Sequence, residues 1–143
     1  MIVRPYETYD EERLCFDTSQ EYMGEYLSKM DFDLAPLAEQ NLVWTGEHND
    51  KVVAMGGIVP IWPGRGMAWM WMSDVSGRHM VKIHREVEKF LIKSPFRRVE
   101  ATVDIGFEPG VRWMKMLGFE LEGYLRAYKP DGGDMLMFAR VRR

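Results

Sequence analysis

Apolar and polar positions follow distinct periods along the chain, and the clearest change of period falls between Met67 and Phe90. Met67-Ala68-Trp69-Met70-Trp71-Met72 is apolar without alternation, the pattern of a strand buried on both faces. Ser73 to Arg78 is small, hydroxylated or glycine, with one fixed cation. Met80, Ile83, Val87, Phe90 and Leu91 then recur at spacings of three and four, the stripe of an amphipathic helix. A strand, a small polar loop and a helix start aim free backbone N–H groups at an anion. This stretch is the chain's candidate for a phosphate-bearing ligand.

The flanking patterns extend the reading. Met1 to Tyr6 predicts an opening strand that ends at Pro5, and Asp10 caps a short helix through Phe16. Thr18 and Glu21 form a capping box for a second helix, whose face carries Tyr22, Met23, Tyr26, Leu27 and Met30. Asp31 to Gln40 is polar, contains a proline, and reads as a loop or a further helical turn. Leu42–Glu47 and Lys51–Ile58 are strands joined at a tight His48-Asn49-Asp50 hairpin. Gly56-Gly57 inside the second of them predicts a bulge or a close backbone approach. Pro60 to Gly66 is rich in breakers and reads as a turn.

Beyond the focal helix, which ends near Lys93-Ser94-Pro95, Arg98–Asp104 alternates like a strand. Pro109 opens a short helix with Val111, Trp113, Met114 and Leu117, which Gly118 stops. Phe119–Tyr128 and Met135–Val141 make a final hairpin across Pro130-Asp131-Gly132-Gly133. The order is β-α-α-β-β-β-α-β-α-β-β: an α/β (α+β) chain with a mixed, mostly antiparallel sheet and one parallel crossover around the focal helix.

Composition narrows the classes. The 143 residues, 46% of them hydrophobic, predict a single domain over 1–143. No run approaches the roughly 20 apolar residues of a membrane span, and the first residues lack the shape of a signal peptide. The lone Cys15 excludes an intrachain disulfide, so the expected location is the cytoplasm or an assembly, such as a virion, made in one. A net charge of −3 gives no reason to expect nucleic acid. The three histidines show no metal-ligand spacing, so no metal is expected. Twelve Met and five Trp suit either a core or an adaptable binding surface.

The element order, together with Leu117-Gly118-Phe119, Glu122-Gly123 and the closing hairpin at Gly132–Asp134, resembles the GCN5-related N-acetyltransferase (GNAT) family. Small acetyltransferase-like proteins of tailed bacteriophages look similar too. The family resemblance implies that the fourth and fifth strands splay apart and that acetyl-coenzyme A, as co-substrate, enters the gap. It places the strand contact on Met70 to Ser73 and the pyrophosphate on the loop before the long helix. The cofactor-binding candidates are therefore Met72, Ser73, Val75, Ser76, Gly77, Arg78, His79 and Met80. The family loop usually has two small residues where this chain has only Gly77. The resemblance also puts Phe107 and Met114 where members often carry an Asn and a thiolate-protonating Tyr.

Direct acyl transfer needs a route for the amine proton and a donor polarising the thioester carbonyl. Asp74 and Asp104, at the ends of the strands that should splay, are the candidate bases; each also suits a loop or helix cap. Tyr124 and Tyr128, read on the sixth strand, could serve as an acid, a stacking surface or packing. Two readings follow from the resemblance. One is an N-acetyltransferase acting on a small-molecule or protein amine. The other is a catalytically degenerate member with a structural or interaction role, such as a component of a phage particle. The partners implied are an amine acceptor and a homodimer or virion partner, with no nucleic acid and no membrane.

Overall fold

The computed structural model describes residues 1–8, 10–13, 34–74 and 76–142. The Thr18–Glu21 capping box, the helix face from Tyr22 to Met30, the first helix beyond Arg13, and Val75 lie outside the described residues. The described elements are β1 (Ile2–Pro5), α1 (Asp10–Arg13), α2 (Ala35–Glu39), β2 (Val43–His48), β3 (Lys51–Trp62) and β4 (Arg65–Met72). A 3₁₀ turn (Ser76–His79), α3 (Met80–Lys93), β5 (Arg98–Asp104), α4 (Glu108–Met116), β6 (Glu120–Leu125) and β7 (Met135–Val141) follow. The seven strands form one mixed sheet in the order β1-β2-β3-β4-β5-β7-β6. Its one parallel pair in the described register is β4 with β5, joined from Arg65↔Arg98 to Met67↔Glu100.

The chain divides into two compact units, one of residues 1–59 and 69–94, the other of residues 60–68 and 95–143. In the first, Leu34, Val43, Val52, Met55 and Trp71 form a buried cluster against which Tyr6, Leu37 and Trp69 pack. Its β2–β3 hairpin turns through Asn49 (φ 50°) and Asp50 (φ 61°), the left-handed pair that a tight hairpin requires and that Asn and Asp tolerate best. Gly56 and Gly57 are close approaches. A Cβ on Gly56 would lie 2.8 Å from the Trp44 ring, and one on Gly57 would fall on the Leu42 carbonyl. An ion network anchors β1: Arg4 donates to both oxygens of the buried Asp10 (2.9 Å each) and through Nε to Glu47 (2.6 Å). Thr45 Oγ1 donates to Asp10 as well (2.9 Å). Burial alone would push the Asp10 carboxyl up; Arg4, the Glu7 N–H and Thr45 outweigh it and hold it below the usual range.

In the second unit, Val99, Ala101 and Val103 of β5 are buried, as are Met114, Leu117, Phe119, Met135, Phe138 and Ala139. Gly118 takes φ 86° directly after α4, the left-handed stop expected of it.

Three details correct the sequence reading. Pro60 does not begin the turn: β3 continues to Trp62, and the turn is Pro63-Gly64 with Gly64 at φ 87°. The β2 register ends at Gly57, so Pro60 lies where no ladder bond to β2 is needed. Met67–Met72 is not buried on both faces, since only Trp71 among these six residues is fully buried. Tyr128 lies beyond the end of β6 and is exposed.

Candidate cofactor and active site

The end of β4 and the start of α3 lie within the first unit, which brings together every described cofactor-binding candidate. Ser73 closes the strand. Its N–H donates to the Val53 carbonyl (2.9 Å), and its own carbonyl accepts the Ser76 N–H (3.1 Å). The residue is 5% exposed, and its Oγ has no hydrogen-bond partner among the described residues. An orphaned buried hydroxyl costs about 1–3 kcal/mol, and such exceptions call for an external partner or a role. Ser76 is buried beside it, whereas Gly77 and Arg78 are exposed.

The helix start is open. His79 occupies the N-cap position of α3 with no side-chain cap hydrogen bond, and the first turn has no acidic residue. Asp74 therefore does not cap α3, as one reading of the sequence allowed. It lies in an exposed turn. A Cβ on Gly77 would meet nothing within 4 Å, so the backbone here can be approached closely. A 14-residue helix with a bare N-terminus, Arg78 beside it and a buried hydroxyl at the strand end has the donor chemistry that phosphate oxygens need. Met72 and Met80 are half-buried at the edges of this segment.

His48, which the sequence marked only as a hairpin residue, lies beside this candidate segment. Its ring lies 4.8 Å from that of His79, tilted by 50°. Burial pushes the His79 imidazole below its ordinary value, and the fields of His48, the amino terminus and Arg78 push the same way. The two-residue hairpin and the antiparallel β3–β4 order carried this information, because they return the β2–β3 turn to the level where β4 ends.

The second unit holds the remaining candidates. Asp104 ends β5 half-buried, its Oδ1 2.7 Å from Lys129 Nζ, and its carbonyl accepts the Phe107 N–H. Phe107 is exposed and Met114 is buried. Tyr124 donates to Asp134 (2.6 Å), whose other oxygen accepts the Ala127 N–H (2.7 Å). The Asp134 carboxylate pushes the exposed phenol up, so Tyr124 is engaged in closing its own hairpin. Among the described residues no group of three or more His, Cys, Asp or Glu could hold a metal ion, and no described helix is long and apolar enough to cross a membrane.

No protein-family model and no curated protein matches the sequence. Solved structures do match over nearly the whole chain. Ard1 from Thermoplasma volcanium aligns at a TM-score of 0.74 and 15% identity, covering 99% of this chain and 97% of that one. The ribosomal-protein-alanine N-acetyltransferase of Brucella melitensis aligns at 0.65 and 13%, covering 99% and 100%. The spermidine N-acetyltransferase SpeG of Vibrio cholerae (F149A mutant) aligns at 0.62 and 11%, covering 99% and 95%. None of these matches lends support to the phage resemblance. Element order, sheet and structural matches agree, and the chain has the fold of the GCN5-related N-acetyltransferases.

Proposed function

We propose that the protein is an N-acetyltransferase that moves an acetyl group from acetyl-coenzyme A to an amine. The observation that carries this is the uncapped start of α3, with the partnerless Ser73 Oγ at the end of the preceding strand. The solved enzymes that share the fold act, by their names, on a ribosomal protein's alanine and on spermidine, which supports an amine acceptor of either kind. In this reading the N–H groups of Gly77 to Met80 hold the phosphates, with Arg78 supplying charge and the buried Ser73 and Ser76 supporting the loop from beneath. The acceptor nitrogen attacks the thioester carbonyl, the N–C bond forms, and the C–S bond breaks to release the coenzyme A thiolate. The amine proton leaves through Asp74, directly or by water. Asp74 is exposed and its carboxylate has no partner among the described residues, whereas Asp104 is tied to Lys129.

The test is calorimetric titration with acetyl-coenzyme A and coenzyme A, followed by a screen of peptide and polyamine acceptors. Micromolar binding, about 8 kcal/mol, is expected. Gly77→Asp should abolish it by placing a like charge beside the phosphates, without strain in the fold, because the added side chain enters open space. Absence of binding at millimolar cofactor would overturn the proposal. A second reading, a non-catalytic protein on the same fold, is favoured by the buried thioether of Met114, which cannot protonate a thiolate. Tight coenzyme A binding without turnover on any acceptor would select it.

A further inference from the structure

We infer that the β3–β4 turn and the start of β5 build a second ligand site, for a small molecule in which a flat ring carries one anionic group. The site lies wholly within the second unit and shares no residue with the phosphate loop, so it stands independently of the proposed activity. An open cleft of about 420 Å³ is lined by Trp62, Arg65, Arg97, Arg98 and Glu100, with the turn residues between them. That volume falls in the range of roughly 300–1,000 Å³ typical of small-molecule pockets.

The charges in the cleft are ordered and unbalanced. Glu100 is 5% exposed and accepts from Arg65 Nε (2.6 Å), Arg65 Nη2 (3.1 Å) and Arg98 Nη2 (3.2 Å). Arg98 continues to Glu122 (Nη1–Oε2, 3.0 Å), the residue skipped by the β6–β7 register. Burial would raise the Glu100 carboxyl, but both guanidiniums keep it low, and so ionised. Arg97 is exposed, and its side chain has no partner among the described residues. Three guanidiniums thus face two carboxylates, which leaves one positive charge and the whole fork of Arg97 for a ligand anion.

The ring preference comes from Trp62. The Arg65 guanidinium lies 4.3 Å from its ring centroid, yet the residue remains 61% exposed. The carboxylate lattice holds Arg65, and its stacking on the indole, worth about 0.5–1 kcal/mol at an exposed site, biases Trp62 towards this orientation before any ligand arrives, which lowers the entropy lost on binding. A structural role for the Glu100 pairs accounts for Arg65 and Arg98. It accounts neither for a stacked, exposed indole nor for the surplus cation beside it.

The experiment follows the indole N–H resonance of Trp62 in the full chain during titration with AMP and, separately, indole-3-acetate; adenosine and inorganic phosphate serve as controls. A saturable shift with either ring-bearing anion is expected. Response to AMP alone assigns a phosphate group, response to indole-3-acetate alone a carboxylate, and response to both the shared chemistry. Arg97→Ala should weaken binding about tenfold, near 1.4 kcal/mol, and Trp62→Ala should remove it by calorimetry. Both side chains are exposed, so melting temperatures should hold; if one falls, Arg97→Lys and Trp62→Phe replace those variants and should show the same order. No saturable shift at about 10 mM ligand, affinity unchanged in both variants, or phosphate binding as tightly as AMP would overturn the site. So would loss of AMP binding in Gly77→Asp, which would place the nucleotide at the phosphate loop instead.

Discussion

The imidazole of His79 is the titratable group on which the candidate phosphate loop turns. Its folded value lies below the ordinary 6.5, so the folded chain binds fewer protons there than the unfolded chain. Stability from this group is therefore complete above 6.5, is lost as pH falls from 6.5 towards the lowered value, and stops changing below it. Urea unfolding at pH 7.5 and 5.5 should show a larger loss for the wild type than for His79→Gln; equal losses would contradict the assignment. A bound pyrophosphate acts in the opposite sense, because it favours the imidazolium. Residues such as these were legible in the sequence by place but not by surroundings. The Ser73–Met80 segment was identified from its pattern, but Ser73's orphaned hydroxyl depends on what lies across the strand. Likewise His48 came beside the segment only through the hairpin that returns it, and Asp74's failure to cap α3 depended on where the intervening 3₁₀ turn put the helix start.

At the scale of elements, the two glycines that matter obey opposite rules. Gly57 lies in β3 with the Leu42 carbonyl, Val43 Cγ2 and Trp69 around the position of its missing Cβ. Backbone there cannot yield without moving the β2–β3 ladder, so Gly57→Ala should destabilise by at least about 1–3 kcal/mol. Gly77→Ala, facing open space, should leave the urea midpoint nearly unchanged. A neutral Gly57→Ala would show that β2 and β3 separate more easily than their contacts imply. The same contacts explain why the strands were legible. A close backbone approach leaves a Gly-Gly signature inside an apolar run, just as Gly118 marks the left-handed stop after α4. The end of β3 was less legible, because proline reads as a breaker unless one knows that β2 has already ended beside it. Arg65, Arg98 and Glu100 were not legible as a unit, since only the parallel β4–β5 pairing brings them into register.

For the whole molecule, the two units divide the chemistry as well as the chain. The first, residues 1–59 and 69–94, holds the phosphate loop; the second, residues 60–68 and 95–143, holds the Trp62–Arg97 cleft and Asp104. Neither unit is continuous in sequence, and β3 and β4 each run through both. Ligands of the two sites should therefore leave separate footprints. Coenzyme A at 100 times its Kd stabilises the state that binds it by about 2.7 kcal/mol. At roughly 2–4 °C per kcal/mol for a chain of this order of size, melting should rise by about 5–11 °C. Hydrogen exchange should slow first at the amides of Gly77 to His79 and the opening turn of α3, the groups that would meet phosphate oxygens. AMP held in the cleft should instead slow exchange between Trp62 and Met67 and around Arg97 and Arg98. Protection by coenzyme A confined to β5, β6 and β7 would move the cofactor off the loop and remove the basis of the acetyltransferase reading. Protection at the loop with no response in the cleft would leave that reading intact and reject the second site alone.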